Sequence, residues 1–486
     1  MARIDRRRLL VLGGGVALSG GMPAGKGDSV IASTPSGALR GVRTGEVVVW
    51  RGIRYAEPPR RFAAPVPARP WRGVRDAGAF GPAAVQANMG QPERPNQSED
   101  CLFLNVYSTS TTGRRPVIVW IHGGAFVMGA GSDYDGTAYA ARGDVVLVTI
   151  NYRLGAFGYL YQPELPGSGN LALLDQVAAL RWVRSHISAF GGDPGNVTVM
   201  GESAGGMSIG ALLGMPAARG LFRRAVVQSG GVRPVFTARD AAATTSAMLR
   251  ELGLREDQSA MLARVPVAEF AAVASAVAVD PELGGERFHP VLDGEVLPRH
   301  PITALARDVD VMVGTCRDEA NELAKVLPAF GTGLPKAMRA VLGDERWSRL
   351  RQAYRLHTPS TRDWEMDLLS GAFVVMPSVW LAETTRAWNY RFDYADASKA
   401  GPAHAADIPF TFGRVDERSL APGADVAAAR ALANTMLDAF SAFAHGRDPG
   451  WPRERTMLFD TPCGLAENRL EAELRAAWNG VDPALF

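Results

Sequence analysis

A serine between glycines is the feature of this sequence that points most directly to chemistry. Ser203 lies in the run GESAGG at residues 201–206, which follows the β-rich stretch 196–200 and opens an apolar helical pattern. At a sharp turn from strand to helix a serine hydroxyl is held in the open, and glycines two residues on either side permit the tight turn. The alternative is a Gly/Ser-rich turn without chemistry, because a GxSxG pentapeptide also arises by chance. Ser203 is therefore a candidate nucleophile that needs partners.

A nucleophilic serine needs a base to take its proton and a carboxylate to orient that base. In chains with a nucleophile turn of this kind the acid and then the histidine follow the serine, so only the late histidines qualify. Three of the seven do: His357, His404 and His445. His357 follows an inserted helical stretch and is expected at the surface, and His445 stands at an apparent helix C-terminus, where it complements the helix dipole. His404 lies on a small-residue loop after the apparent strand 388–392, which makes it the candidate base.

Two adjacent carboxylates compete for the role of the orienting acid. Asp318 and Glu319 both follow the predicted strand 309–313. Spacing alone does not separate them, and an ordinary solvated loop carboxylate is the alternative for either. At this point the residues leave the choice between them open.

Attack on a carbonyl also needs hydrogen-bond donors for the negative oxygen that develops. The backbone N–H of Ala204, at the start of the predicted helix, is one candidate. Further donors are expected from a glycine-rich loop after an earlier strand, and HGGAF at residues 122–126 directly follows the apolar run PVIVWI. Glycines let the backbone approach a substrate closely. The alternative, an ordinary turn at the end of a strand, is weakened because this loop and GESAGG occur in the expected order.

These residues must be carried by elements that bring their loops to one edge of a sheet. The runs PVIVWI (116–121) and VVLVTI (145–150) are almost continuously apolar, as in strands of a parallel sheet covered on both faces. Helical patterns lie between and after the strands, which indicates an α/β fold with a mostly parallel central sheet flanked by helices. Residues 236–285 and 330–385 are Ala- and Leu-rich with helical periodicity, and we expect helical insertions that cap the sheet. The remaining predicted elements are a strand at 46–50, a helix at 171–187, and strands at 224–228, 309–313 and 388–392.

Composition and charge describe a globular protein with a large core and give no sign of a nucleic-acid partner. The 486 residues are 47% apolar and 21% charged, with a formal net charge of +2. Residues 1–32 carry five basic and two acidic side chains, so the remainder has 47 basic and 48 acidic side chains. That near-neutral remainder offers no basic surface for phosphates.

The N-terminus has the features of an export signal. Basic residues precede an apolar run at 9–18, and DRRRLL at residues 5–10 resembles a twin-arginine signal, which exports folded proteins. The apolar run is too short to span a bilayer as a helix. We therefore expect residues 1–32 to be an export signal, residues 33–486 to form a single domain, and the protein to be periplasmic or extracellular without stable membrane insertion. The alternative is a basic tail on a cytoplasmic protein.

The three cysteines, Cys101, Cys316 and Cys463, are too few and odd in number for a disulfide framework. The sequence has no Cys-x-x-Cys or His-x-x-x-His pair that would hold a metal ion. We therefore expect neither a structural disulfide nor a zinc ion.

Together these motifs resemble the type-B carboxylesterase and cholinesterase-like family, and especially its bacterial para-nitrobenzyl esterases. The similarity extends from about residue 35 to the C-terminal region, and EDCLFLNVY followed at this separation by GESAGG is highly specific. It implies an α/β-hydrolase fold and a serine hydrolase that cleaves carboxylic esters of small molecules through an acyl-enzyme, with no cofactor. The matching runs are GIRYAEPP (52–59), EDCLFLNVY (99–107), WIHGGAF (120–126), NYRLG (151–155) and FGGDPGNVTVMGESAGG (190–206).

Carried over position by position, the resemblance assigns the site residues. It implies Ser203 as the nucleophile and His404 as the base, and it favours Glu319 over Asp318 as the triad acid. It also implies an oxyanion hole formed by the backbone N–H groups of Gly124, Ala125 and Ala204, and no metal ion.

Four positions depart from the family's pattern. Ala125 replaces the third glycine of the oxyanion loop, so the space beside the carbonyl shrinks by a methyl group, and Ala405 follows the histidine where the family usually has Gly or Ser. Cys101 corresponds to a disulfide-forming cysteine of secreted animal members, but residues 1–100 hold no partner for it. No aromatic residue occurs in 85–98, where cholinesterases place the tryptophan that binds a quaternary ammonium. Without that ring face we expect choline esters to be poor substrates.

Two other functions are compatible with these motifs. Adhesion proteins of the neuroligin type use this fold as a binding module, but they generally lack the nucleophile, whereas all three triad positions are filled here. A hydrolase with the same triad could instead act on amides, carbamates or long-chain lipids, since the sequence does not define the shape of the pocket. The oligomeric state is not defined by the sequence either.

Overall fold

The computed structural model describes residues 28–86, 94–232, 235–278, 287–326, 328–395, 401–467, 470 and 472–485. Most of the predicted export signal lies outside these described residues. Its last residues do not, because Ser29–Thr34 form an edge strand and the Ala32 side chain is fully buried. The folded body therefore begins before the boundary predicted at residue 33, since the run SVIAST can pair along the edge of a sheet.

A 13-stranded sheet forms the centre of the described structure, with two small two-stranded sheets beside it. The strands are β1 Ser29–Thr34, β2 Gly37–Thr44, β3 Val47–Arg54, β4 Val74–Asp76, β5 Ala83–Ala84, β6 Gln97–Ser98, β7 Phe103–Ser108, β8 Arg115–Ile121, β9 Val146–Ile150, β10 Gly192–Glu202, β11 Arg224–Gln228, β12 Phe236–Thr237, β13 Val291–Leu292, β14 Asp310–Cys316, β15 Trp388–Phe392, β16 Thr456–Phe459 and β17 Gly464–Ala466.

The α-helices of the described residues lie between and around these strands. A π-helical turn, Gly371–Val375, joins the ninth helix to the tenth, and the eighth is broken at Gly343. The helices are α1 Thr137–Gly143, α2 Gly155–Tyr159, α3 Leu171–His186, α4 Ala204–Gly214, α5 Ala238–Glu251, α6 Val267–Ala276, α7 Ala320–Val326, α8 Pro328–His357, α9 Trp364–Ser370, α10 Met376–Thr385, α11 Ile408–Thr411, α12 Val426–Ala444 and α13 Ala472–Ala477.

The order of strands across the large sheet is β1-β2-β3-β7-β9-β8-β10-β11-β14-β15-β16-β17, with β4 beside β2. The seven strands from β9 to β16 in this order run parallel, whereas the flanking pairs are antiparallel. The carboxyl ends of the parallel strands therefore meet at one edge of the sheet. Ligands of open α/β sheets bind at that edge, so the loops after β8, β10, β11, β14 and β15 are the ones that can form a site.

Both faces of the central strands are buried, which explains their continuously apolar sequence. In β8, Val117, Val119 and Ile121 belong to one core cluster, and Ile118 and Trp120 belong to another. Successive side chains of a strand point to opposite faces, so each face must be covered. Helices α3 and α4 cover the first face, and α1 and α12 cover the second.

The helical stretch Trp364–Thr385 is the one described segment that is long and apolar enough to cross a membrane. Within its most apolar window, 83% is buried inside the protein. It includes α9, the π-helical turn and α10, and its side chains contribute to a third core cluster with α8 and α13. Its apolar character is therefore that of a core helix.

The predicted α/β fold with a mostly parallel sheet is confirmed. The strands predicted at 224–228 and 388–392 match β11 and β15 residue for residue. The strand predicted at 309–313 begins one residue later and continues to Cys316, because Gly314 and Thr315 also pair with β15. This extension carries the chain directly to the two candidate acids at the active edge of the sheet.

Candidate active site

The candidate nucleophile lies on a sharp turn between β10 and α4. Ser203 has φ 54° and ψ −125°, a conformation that L-residues rarely adopt and that costs about 1–3 kcal/mol. Its N–H donates to the Gln228 carbonyl at 2.9 Å. A Cβ on Gly201 or Gly205 would lie only 2.6 or 2.0 Å from the Ile121 carbonyl oxygen. The prediction that glycines two residues on either side of the serine permit this turn is confirmed.

Ser203, His404 and Glu319 form a continuous hydrogen-bonded chain. Ser203 Oγ lies 2.8 Å from His404 Nε2, and His404 Nδ1 lies 2.6 Å from Glu319 Oε2. An ionised carboxylate only accepts hydrogen bonds, so in the neutral imidazole Nδ1 carries the proton and Nε2 can accept the hydroxyl proton of the serine. The three side chains come from the loops after β10, β14 and β15. This arrangement can remove the proton from the serine during nucleophilic attack.

The Glu319 carboxylate is held through both of its oxygens. The residue is fully buried, and its Oε1 accepts hydrogen bonds from the Ser229 hydroxyl at 2.6 Å and from the Cys316 N–H at 2.8 Å. Its other oxygen is the one that faces the imidazole. These bonds satisfy a buried carboxylate and fix the direction in which it presents Oε2.

Asp318, the other candidate acid, has different partners. Its carboxylate pairs with Arg317 at 3.1 Å and with Arg362 at 2.9 Å, and its side chain is 8% exposed. Its N–H donates to the Pro402 carbonyl at 3.0 Å, which ties the acid turn to the loop that carries the base. Of the two candidates, the structure therefore brings only Glu319 to the imidazole.

A second carboxylate, Glu202, lies against the same imidazole. Glu202 Oε1 is 3.3 Å from His404 Nε2, and burial raises the pKa of the Glu202 carboxyl to about 8. Burial opposes the charged imidazole, but the carboxylates of Glu202 and Glu319 outweigh it and raise the pKa of His404 to about 9. When both are ionised, the two carboxylates beside the buried imidazole favour the imidazolium that proton transfer creates.

A third buried carboxylate, Asp407, belongs to the layer behind this site. Its Oδ2 accepts hydrogen bonds from Gln228 Nε2 at 2.9 Å and from the Tyr390 hydroxyl at 3.3 Å. Burial, reinforced by the nearby negative charge of Glu319, raises the pKa of Asp407 to about 6. Because the Gln228 carbonyl also binds the Ser203 N–H, this layer connects the loop of the base to the turn of the nucleophile.

The loop after β8 lies beside the nucleophile. A Cβ on Gly123 would be 3.1 Å from the Ser203 Cβ, so the two backbones are in close contact. Gly124, Ala125 and Phe126 all have positive φ, of 108°, 54° and 60°. The alanine therefore does more than narrow the loop, because a left-handed L-residue costs about 1–2 kcal/mol relative to glycine. Ala204 opens α4, where the first N–H groups have no partner within the helix.

His122 supports this loop from inside the protein. Its ring stacks on that of Tyr152 at 4.4 Å, and the Tyr152 hydroxyl donates to the His122 carbonyl at 2.7 Å. Burial lowers the pKa of His122 to about 4, so the ring is neutral at physiological pH. The histidine is therefore a packing residue of the loop.

The cysteines form no disulfide in the described structure. Cys101 and Cys316 are buried and Cys463 is exposed, and all three are free thiols. In the part of the chain that the structure describes, no group of three or more His, Cys, Asp or Glu side chains is placed to hold a metal ion.

The structure brings together most of the residues singled out in the sequence. Ser203, His404 and Glu319 are in contact, and the glycine loop after β8 lies next to them. His357 is exposed at the end of α8, and His445 caps the C-terminus of α12, both as predicted.

Sequence reasoning missed the contributions of Glu202 and Ser229. Glu202 stands next to the nucleophile, and an ionisable residue at that position of the turn is a signal that could have been used. Ser229 follows β11, the strand between those that carry the nucleophile and the acid. Its position at the carboxyl end of a central strand is the same signal that identified the base.

Comparisons with known proteins show which sequences and folds this chain is similar to. The sequence model of the carboxylesterase family matches residues 28–461. The chain is 37% identical to a para-nitrobenzyl esterase of Bacillus subtilis (strain 168), over 92% of this chain and 97% of the relative. It is 35% identical to a phenmedipham hydrolase of Pseudarthrobacter oxydans, over 91% and 96% of the two chains. The crystal structure of a carboxylesterase of Geobacillus stearothermophilus superimposes with a TM-score of 0.81 at 35% identity, over 92% of this chain and 99% of that one.

Proposed function

The chain belongs to the carboxylesterase family and is a carboxylic ester hydrolase, and we propose that Ser203, His404 and Glu319 are its catalytic triad. The observation that supports this assignment is the unbroken chain of hydrogen bonds from the Ser203 hydroxyl through the imidazole to the Glu319 carboxylate. It supplies a nucleophile, a base and an orienting acid in the roles that ester hydrolysis requires.

Acylation begins when Ser203 Oγ attacks the ester carbonyl carbon and His404 Nε2 takes the hydroxyl proton. The carbonyl π electrons move onto the oxygen, which becomes an oxyanion. As the C–O bond to the alcohol breaks, the imidazolium returns the proton to the leaving alcohol oxygen. Glu319 and Glu202 both stabilise the imidazolium during this step, since each lies within 3.3 Å of a ring nitrogen.

Deacylation repeats the sequence with water as the nucleophile. His404 takes a proton from the water that attacks the acyl-enzyme, and it returns the proton to Ser203 Oγ as the acid product leaves. The proton that leaves with the alcohol is replaced by one from the attacking water, so the cycle ends with Ser203 and His404 in their starting protonation states.

The oxyanion is bound by the backbone N–H groups of Gly124, Ala125 and Ala204. Two observations support this role: the loop after β8 touches the nucleophile, and Ala204 starts the helix whose N-terminus carries partial positive charge. The alanine in place of glycine keeps the same number of donors.

The substrates are small-molecule esters. The lack of an aromatic residue in 85–98 disfavours choline esters, because no ring face is supplied there for a quaternary ammonium. Residues 33–486 carry nearly equal numbers of basic and acidic side chains, which provides no surface for nucleic acid. The one apolar helical stretch of the described residues is mostly buried, as in an enzyme that is not inserted in a membrane.

The segment that precedes β1 directs export through a twin-arginine signal, and the chain from β1 onward forms one catalytic domain that works in the periplasm or outside the cell. The basic residues and apolar run of that segment support this proposal. Fractionation of cells that express the full chain, compared with a variant whose Arg7 and Arg8 are both replaced by Lys, tests it, and identical cytoplasmic retention of both would contradict it.

The test of the triad is hydrolysis of a p-nitrophenyl ester series from acetate to palmitate by the wild-type enzyme and by Ser203→Ala. Loss of the nucleophile should lower kcat by about 10⁶-fold for every ester that the wild type cleaves. Activity close to that of the wild type in this variant would remove Ser203 from the mechanism.

A further inference from the structure

One turn of the helical stretch beside the site departs from α-helical geometry. In the π-helical turn Gly371–Val375, the Met376 N–H bonds to the Gly371 carbonyl five residues back. Pro377 explains the departure, because proline has no N–H for the Phe373 carbonyl four residues earlier and its ring would clash with that carbonyl. Such π-helical turns are rare and occur frequently at functional sites.

The π-helical turn places Phe373 against the catalytic imidazole. The rings of Phe373 and His404 have centroids 5.3 Å apart and planes inclined at 63°. Phe330 of α8 packs on Phe373 in turn, at 5.1 Å and 83°. Both phenyl groups are buried, so the contact with the imidazole is enclosed on the protein side. Edge-to-face contacts at these distances are favourable and directional.

We propose that Phe373 is a positioning residue that holds the His404 ring in the orientation in which Nε2 faces Ser203. This role rests on the proposed triad. The hydrogen bond to Glu319 holds Nδ1, but the bond between Nε2 and Ser203 Oγ is lost once the serine is acylated, and the ring can then pivot about Nδ1. A buried phenyl group packed against the ring removes this freedom without competing for either ring nitrogen.

Contacts on two sides fix the π-helical turn relative to the rest of the site. Ser370 Oγ, at the end of α9, accepts a hydrogen bond at 2.9 Å from the N–H of Ala320, the residue after the acid. On the other side, a Cβ on Gly231 would lie 2.5 Å from the Pro377 carbonyl carbon, and a Cβ on Gly210 of α4 would lie 2.4 Å from the Gly231 oxygen. The turn is therefore packed against the elements that carry both the acid and the nucleophile.

The test compares Phe373→Ala and Phe373→Leu with the wild type, using p-nitrophenyl acetate, whose small acyl group demands little of the pocket. Misplacement of a catalytic group by about 1 Å costs on the order of 10²-fold in rate, so Phe373→Ala should lower kcat by about 10- to 100-fold. Because substrate binding does not depend on the imidazole, KM should change by less than about threefold. Phe373→Leu, which keeps an apolar side chain of similar volume, should recover most of the loss.

Phe443→Ala is the matched control for the removal of a buried phenyl group. Phe443 is buried in α12, and its ring contacts Trp388 at the other end of β15 from the site. Its loss should lower the melting temperature while leaving kcat near the wild-type value. The low-field proton resonance of the hydrogen bond between His404 and Glu319 gives a second readout, which should shift or broaden in Phe373→Ala and stay in place in Phe443→Ala.

The positioning role is wrong if Phe373→Ala has the wild-type kcat and resonance, or if Phe443→Ala loses as much kcat at an equal fall in melting temperature. If Phe373→Ala does not fold, kcat and the low-field proton resonance are measured on Phe373→Leu instead. Both should then lie between the wild-type values and the values expected of a His404 ring with no fixed orientation. The outcome is separable from that of the triad. Full activity in Ser203→Ala would refute the triad, whereas an inactive Ser203→Ala beside a fully active Phe373→Ala would refute only the positioning role.

Discussion

Replacement of Glu202 by Gln should change the pH profile of the enzyme in two ways at once. The carboxylate lies 3.3 Å from His404 Nε2 in a buried site. Two unit charges at this separation interact by about 5 kcal/mol at an effective dielectric constant near 20, which corresponds to a ceiling of about 3.7 pKa units. Since burial raises the pKa of Glu202 itself to about 8, its charge is only partly present at neutral pH. We therefore expect the substitution to lower the pKa of His404 by about one to three units.

The direction follows from the form of the imidazole that acts as base. Only neutral His404 can take the serine proton, so activity is lost as the pH falls through the His404 pKa, which the neighbouring carboxylates raise to about 9. In Glu202→Gln the acidic limb of kcat/KM should therefore move to lower pH. The plateau above that limb should also fall by about tenfold or more, because the imidazolium of the transition state loses a counter-charge.

The assay is the pH dependence of kcat/KM for p-nitrophenyl acetate from pH 5 to 10, for the wild type, Glu202→Gln and Glu202→Asp. Glu202→Asp keeps the charge but moves it away from the ring, so its limb should lie between the other two. An acidic limb that stays at the wild-type position in Glu202→Gln would refute the coupling of these two groups.

Three further predictions concern the acid, its support and the substrate. Glu319→Gln should lower kcat by about 10⁴-fold, because it favours the wrong imidazole tautomer. Asp318→Asn should retain most of kcat and lower the free energy of unfolding by about 3 kcal/mol, because it breaks a buried ion pair. The reverse pattern in kinetics and denaturant melts would exchange the two roles. Ser229→Ala should lower kcat by about tenfold, since Glu319 loses a charge-assisted hydrogen bond, and an unchanged kcat would make that bond irrelevant to catalysis. The kcat/KM for acetylcholine should not exceed that for its uncharged isostere 3,3-dimethylbutyl acetate, and a clear preference for the cation would reveal an ammonium site elsewhere in the pocket.

The sequence predicts the sheet well because its central strands are buried on both faces. PVIVWI and RAVVQ each contribute side chains to two cores, and their short length and β-branched residues favour a buried strand over a buried helix. The first four residues of the edge strand Ser29–Thr34 lie within the predicted export signal, because small and polar residues there resemble the end of such a signal and half of the strand's side chains face solvent. Its pairing with β2 is a tertiary contact that the local pattern does not reveal.

The site was predictable as far as chain order and loop position determine it. The nucleophile and base stand alone on loops at the carboxyl ends of strands, whereas Asp318 and Glu319 are neighbours on one turn. The two carboxylates have different surroundings because Arg362 forms an ion pair with Asp318. Arg362 comes 43 or more residues later in the chain. Spacing contains no information about that partner, and only the resemblance to a known family favoured the residue that the structure brings to the imidazole.

The features that sequence reasoning missed arise from packing between distant segments. To predict the π-helical turn, Pro377 would have to be placed inside a helix that contacts the base. A proline within an apolar helical pattern is usually interpreted as the end of a helix. The left-handed conformations of Ala125 and Ala405 are equally invisible in the sequence, because alanine rarely adopts them. From the sequence, Ala125 is expected only to narrow the oxyanion loop, yet both alanines occupy backbone positions that favour glycine.

The most direct measurement of the central claim is the location of the covalent adduct formed by an organophosphonate inhibitor. Peptide mass spectrometry of the inactivated wild-type enzyme should place one adduct on Ser203, in step with the loss of ester hydrolysis. His404→Ala, with no base to activate the hydroxyl, should be labelled far more slowly. Complete inactivation with Ser203 unmodified, or with the adduct on another residue, would contradict the account of this site.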